Sequence, residues 1–313
     1  MPDLRTNDSQ CRDRPNRRSS KYKGMIFCWH FYKQFFPIHN GTYAEKLGFA
    51  GERRTKNHSM CVGESTIFQF GERHPVLFEI VLVIAAFLAA GVFSLVGAIL
   101  NVHPALSSSV GRVLIGAALI VIYNRAFTRG RPFKNLPAVI PALLFAAWNL
   151  FYNFSSGMVF GGRNFVIEAL VTASAPAIFE EVLFRGILIY NLKKKGTGAL
   201  PCLFISAALF AAAHLTNLVG LDVVSVSVQM AYSFVVGMVF AAVYLKNNSI
   251  LQVIVTHFLI DFTNSLFVEQ PASSSPPQLI LFGVLLVAEA IYALWLTKQR
   301  RFQAAIFQFA VEP

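Results

Sequence analysis

Charge is scarce in this chain: only 14% of its 313 residues are Asp, Glu, Lys or Arg, against about 25% in a soluble globular domain. What charge there is leans one way, with 27 Lys and Arg against 16 Asp and Glu. Cysteine is also sparse. Cys11, Cys28, Cys61 and Cys202 form no C-x-x-C pair, so neither a disulfide framework nor a zinc ribbon is expected. The metalloprotease motif H-E-x-x-H and the hydrolase elbow G-x-S-x-G are missing, which sets aside two common hydrolase designs. No internal repeat is visible, which counts against a transporter built from inverted halves.

What fills the chain instead is apolar. Hydrophobic residues make up 55% of it, and its mean hydropathy is +0.54. Eight apolar segments follow Pro75, at about 76–100, 110–124, 137–155, 164–191, 199–217, 223–245, 250–267 and 279–297. Several approach or exceed the ~18–20 apolar residues that span a bilayer. The expected fold class is all-α, a polytopic membrane helical bundle of about eight transmembrane helices. The formal net charge of +11 then points to cytoplasmic loops and anionic lipid, with no nucleic acid implied.

Loop charge sets an expected orientation. With the N-terminus cytoplasmic and the chain alternating, Arg125, Arg129, Arg131, Lys134, Lys193, Lys194, Lys195, Lys246, Lys298, Arg300 and Arg301 all fall inside. The outer loops at 101–109, 156–163, 218–222 and 268–278 hold one basic residue, Arg163. That asymmetry follows the positive-inside rule and places both termini in the cytoplasm. Residues 1–75 differ from the rest: they are basic, with an aromatic patch at Phe27–Phe36. No apolar run follows the basic start, and Asp3, Asp8 and Asp13 argue against a transit peptide. The expectation is a mostly disordered cytoplasmic extension over 1–75, a membrane domain over 76–300 and a C-terminal tail over 301–313.

The exception to the apolar pattern is Glu180-Glu181-Val182-Leu183-Phe184-Arg185, inside a run from Phe165 to Tyr190. Each charge near the bilayer centre costs about 2.5–3.5 kcal/mol on insertion scales, so such a cluster must be paired, hydrated or working. Glu181 and Arg185 are four apart and share a helix face. That leaves Glu180 free to take a proton from water, two carboxylates with two environments. A salt bridge at a helix end is the alternative, but Lys193–Lys195 mark the interface several residues later.

Two later segments add histidine. His214 ends Phe210-Ala211-Ala212-Ala213-His214, whose small residues let another helix approach. A lone histidine there is more often a packed core residue than a ligand. His257 and Asp261 are again four apart, so the carboxylate can orient the imidazole, or both can face a metal. Glu168 lies near a segment end, and Glu289 sits mid-span without an evident partner.

Glu180-Glu181-x-x-x-Arg185, Phe210-x-x-x-His214 and His257-x-x-x-Asp261, in that order on successive apolar helices, resemble the CPBP family. That family includes the type II CAAX prenyl endopeptidases and the bacteriocin-immunity (Abi) proteins. Asn248-Ser249-Ile250-Leu251 resembles it too, and the likeness covers about residues 164–268. Eukaryotic prenyl endopeptidases usually carry Asn where Asp261 stands, which touches the prenylated CAAX substrate more than the hydrolytic chemistry.

The resemblance implies hydrolysis of a peptide bond in a membrane-associated protein or peptide. Glu180 or Glu181 would activate water with help from His214, His257 and Asp261 would hold the oxyanion, and Arg185 would orient the glutamates. It also leaves open a divalent metal such as zinc, held by Glu181, His214, His257 and Asp261. The same groups serve metal-free base catalysis equally well. Two other classes stay open: a non-catalytic scaffold or immunity factor, and a proton-coupled carrier using the buried Glu and His.

Overall fold

Each of the eight apolar segments is helical in the computed structural model, which describes residues 66–127, 135–155, 159–160, 162–268 and 275–298. The helices are α1 (Thr66–Arg73), α2 (Pro75–Ile99), α3 (Pro104–Ile122), α4 (Leu143–Ser155), α5 (Gly162–Glu181), α6 (Ile189–Lys194), α7 (Ala199–Ala213), α8 (Val223–Asn247), α9 (Ile250–Ser265) and α10 (Pro276–Lys298). A π-helical stretch, Val182–Leu188, joins α5 to α6 without a break, and a 3-10 turn, His214–Val219, extends α7. Local chemistry starts and stops these helices. Pro75 and Pro104 open α2 and α3, where a missing N–H is harmless. Asp222 caps α8 by accepting from the N–H groups of Val224 and Ser225. Asn248 ends α8 in the left-handed conformation, φ 50°.

The all-α membrane bundle is what forms. A two-residue antiparallel pair, Val159–Phe160 with Phe267–Val268, is the small exception, and it ties the entrance of α5 to the exit of α9. Among the described residues, four helical stretches are long and apolar enough to cross a bilayer: Pro75–Ile99, Ala199–Val219, Val223–Asn247 and Pro276–Lys298. Leu106–Ile122 and Ile250–Ser265 are apolar but shorter, and the charges of Glu180, Glu181 and Arg185 interrupt the α5–α6 run. A count of eight spans goes beyond what length and composition carry.

Residues 1–65 of the expected extension and all of 301–313 lie outside the described residues. The stretch nearest the membrane domain is ordered, since α1 falls inside the 1–75 region. Aromatic packing holds it: Phe68 meets Tyr123 edge-on at 4.7 Å between ring centroids, and Phe70 lies against Phe78.

Helix α8 is the centre of the bundle, with every residue from Val236 to Leu245 buried. It packs on α7 and α10, while α5 lies against α3 and α9. The α7–α8 approach depends on Gly237: a Cβ there would sit 3.1 Å from the Ala207 Cα. Small residues facing each other let two backbones close in where lipid supplies no hydrophobic drive. On the flanks the pattern reverses. Leu88, Leu95 and Ile99 of α2 and Ile280, Val284 and Ile291 of α10 are 60–71% exposed. Such faces would be a liability in water and are matched to lipid.

Candidate active site

The site begins where α5 turns π-helical. Glu180 and Glu181 are its last α-helical residues, and Val182–Leu188 beyond them is entirely buried. A π-helix misaligns the ladder and leaves carbonyls seeking other partners. The hydroxyl of Ser206 on α7 donates to one of them, the Phe184 carbonyl, at 3.0 Å.

Arg185 lies inside this stretch, fully buried. Its Nη1 donates to Glu181 Oε1 at 2.8 Å, and its Nη2 donates to the Gly237 carbonyl of α8 at 3.2 Å. The guanidinium carbon sits 4.3 Å from the Phe210 ring centroid and 5.3 Å from that of Phe240. Stacking on two rings and donating from both ends, the fork is held as a rigid plane. The expected i, i+4 pair therefore forms, and it reaches further than one helix.

Glu181, also fully buried, serves a second partner through the same oxygen. His257 Nδ1 lies 2.8 Å from the same Oε1 atom. With an ionised carboxylate as acceptor, Nδ1 must carry the hydrogen. The other imidazole nitrogen, Nε2, then faces Asp261 Oδ2 at 3.4 Å and Glu180 Oε2 at 4.0 Å. His214 is fixed from its own helix: its Nδ1 donates to the Phe210 carbonyl at 3.0 Å. The other ring nitrogen, Nε2, lies 3.4 Å from the Ser233 hydroxyl. Both imidazoles lie against the Phe210 ring, at 5.3 and 6.0 Å between centroids.

Glu180, His214, His257 and Asp261 line one cavity of about 300 Å³. Glu181 and Arg185 stand behind its wall as the buried support of His257. All six residues expected to work together meet here. The cavity also takes Arg112, Asn217, Gln229, Tyr232, Ser233 and Asn264, none of which the sequence reading singled out. Signals for them exist. Arg112 is a charge inside an apolar segment, Gln229, Tyr232 and Ser233 share a helix face, and Asn264 continues the His257–Asp261 face. Of the other buried candidates, Glu168 is exposed, and Glu289 is 2% exposed with no hydrogen-bond partner for Oε2. Glu79 on α2 is a further fully buried carboxylate, away from the cavity.

Depth can be read along the helices. Glu180 lies thirteen residues before Lys193, about 20 Å at 1.5 Å per residue, whereas Gln229 lies six residues after Val223, about 9 Å. The cavity is nearer the end of the bundle that carries the α7–α8 connection than the end that carries Lys193–Lys195.

A divalent metal needs ligands that converge. Among the described residues, no three His, Cys, Asp or Glu side chains form a set able to hold one. Glu181 Oε1 is already shared by Arg185 and His257, and His214 turns Nδ1 to a carbonyl. As arranged, Glu181, His214, His257 and Asp261 do not fit a metal, and the acid–base chemistry of the side chains themselves is what the geometry offers.

Residues 162–263, about a third of the chain, match the family described as type II CAAX prenyl endopeptidase Rce1-like. No curated protein and no solved structure matches the chain. The matched stretch runs from the start of α5 almost to the end of α9 and contains Glu180, Glu181, Arg185, His214, His257 and Asp261. Ordered motifs, a helical membrane fold and the family match converge on one conclusion: residues 162–263 of this chain form a domain of the CPBP/CAAX family.

Proposed function

We propose that the chain is an intramembrane endopeptidase that hydrolyses a peptide bond of a membrane-associated protein, with Glu180 as the base for the attacking water. One observation carries the assignment. Of the two adjacent glutamates, Glu181 is fully buried behind the cavity wall with Oε1 shared by Arg185 and His257, while Glu180 lines the cavity with His257 Nε2 4.0 Å away. A general base must keep a free lone pair within reach of water.

The reaction follows from the remaining groups. Water attacks the scissile carbonyl carbon and gives its proton to Glu180. His214 accepts a second hydrogen bond of that water through Nε2 and orients it. The oxyanion is stabilised by His257, whose charge is supported by Glu181 behind it and Asp261 beside it. Collapse of the tetrahedral adduct breaks the C–N bond, and Glu180 returns the proton to the leaving amine. The family match makes a prenylated CAAX peptide the first substrate to try. Purified protein in lipid is incubated with a farnesylated CAAX peptide and its unprenylated twin, and products are read by mass spectrometry. Cleavage by wild type that Glu180→Gln abolishes supports the reading. Equal cleavage by both enzymes refutes it.

A further inference from the structure

Arg112 is the one cavity residue whose charge the proposed reaction leaves unused. It sits in the middle of α3, one turn before Gly116, and Gly116 is pressed against α5. A Cβ on Gly116 would meet Ile178 Cγ2 at 3.1 Å and the Phe179 Cα at 3.6 Å. Residues four apart share a face, so the same contact that seats Gly116 on α5 turns Arg112 toward Pro176 and Glu180, with which it lines the cavity. Among the described residues, neither cavity carboxylate pairs with it: Glu180 and Asp261 both have His257 as their ion-pair neighbour. Its Nε is buried without a hydrogen-bond partner.

An arginine at the centre of a helical span costs several kcal/mol unless an anion meets it. The other arginine of the site is already answered, Arg185 by Glu181, and His257 lies between Glu181 and Asp261. Apart from Glu180, Asp261 and the two histidines, the polar side chains that line the cavity with Arg112, among them Asn217, Gln229, Tyr232 and Asn264, carry no charge. The guanidinium therefore has a planar fork of donors and no ion-paired carboxylate, although Glu180 lies within its electrostatic reach, and a carboxylate is the shape that fits such a fork. The volume of about 300 Å³ is at the small end of ligand pockets, which suits the end of a chain or one acidic side chain better than a longer folded segment.

We propose that Arg112 is a carboxylate-binding subsite, which docks the substrate by an anionic group of its own beside Glu180. The proposal rests on the hydrolase reading of the cavity. The carboxylate comes either from the substrate's C-terminus or from an Asp or Glu side chain near the scissile bond; the chemistry at Arg112 is the same. A pair of charge-assisted hydrogen bonds gives on the order of tenfold or more in preference for the anion.

The test uses the full chain in lipid and a farnesylated CAAX peptide made as the free acid and as the C-terminal amide, each with and without an acidic residue after the scissile bond. Wild type should favour the peptides carrying a carboxylate by about tenfold or more in kcat/KM, chiefly through KM. Arg112→Gln should erase that preference, and Arg112→Lys should restore part of it. The favoured peptide identifies the source, chain end or side chain. Binding of the same peptides to Glu180→Gln by calorimetry reads docking without turnover, so a failure of the hydrolase reading is told apart from a failure of the subsite. All four peptides, with and without either carboxylate, bound and cleaved alike by wild type would overturn the proposal. So would an Arg112→Gln variant, folded by its thermal transition, that keeps the full acid preference or loses only kcat on every peptide.

Discussion

His257 and Glu181 meet through a single oxygen: Nδ1 lies 2.8 Å from Oε1, the same atom that accepts Nη1 of Arg185 at 2.8 Å. The two residues are 76 positions apart in the chain. This contact joins α5 to α9 beside the cavity and gives the two adjacent glutamates different environments, Glu181 buried behind the wall and Glu180 in the lining.

The first prediction separates the two glutamates. Glu180→Gln should fold and melt like wild type but lose about 10²–10⁴-fold in cleavage, the usual loss of a general base. Glu181→Gln should lower the melting temperature, because it strips the fully buried Arg185 of its carboxylate. Should Glu181→Gln melt normally while Glu180→Gln unfolds, the assignment is reversed.

Arg185 is predicted to be structural first. Arg185→Leu leaves Glu181 buried with His257 as its remaining partner, and breaking a buried pair typically costs about 3–5 kcal/mol. Detergent-solubilised Arg185→Leu should give poor yield and a clearly lowered thermal transition. A variant as stable as wild type would show that the pair contributes little to the fold.

Gly237 is predicted to tolerate almost nothing larger. Its Cβ position is 3.1 Å from the Ala207 Cα and from Phe210 Cδ1, and its carbonyl holds Arg185. Gly237→Leu should separate α7 from α8 at a cost of about 1–3 kcal/mol or more, and should reduce cleavage by shifting Phe210 and His214. Wild-type stability and rate in this variant would contradict the close packing.

Chelation tests the donor set directly. Because Glu181, His214, His257 and Asp261 are committed to one another or to backbone, dialysis against EDTA should leave peptide cleavage unchanged. Loss of activity restored by added zinc would mean that these side chains rearrange into a metal site.

Orientation is open to labelling. Single cysteines at Lys194 and Leu221 should react with a membrane-impermeant maleimide from opposite sides, the first from the cytoplasmic side if the basic loops lie there. Reaction of both from one side would remove the alternating topology between α5 and α8.

Much of the site was legible because helices write short-range geometry into spacing. Glu181–Arg185 and His257–Asp261 are each four apart, and each pair is in contact, at 2.8 and 3.4 Å. Even the π-helical turn after Glu181 did not undo the first pair. The polar cavity itself was foreseeable from the same energetics, since charges in an apolar span must gather. Arg112 escaped notice although it carries the same signal, because no partner stands four residues from it. Helix α1 escaped as well: its packing comes from Tyr123, just past the end of α3, and from Phe78 of α2.

The sequence by itself determined the class of protein, the apolar segments that become helices and the short list of polar groups that cannot face lipid, because composition and helical period are local properties. Only the tertiary structure decided which glutamate faces the cavity. That choice rests on where α9 brings His257 and on how closely Gly237 lets α8 approach α7, and both are set by packing between helices far apart in the chain. The role of Arg112 has the same origin, since it enters the site only because Gly116 seats α3 on α5.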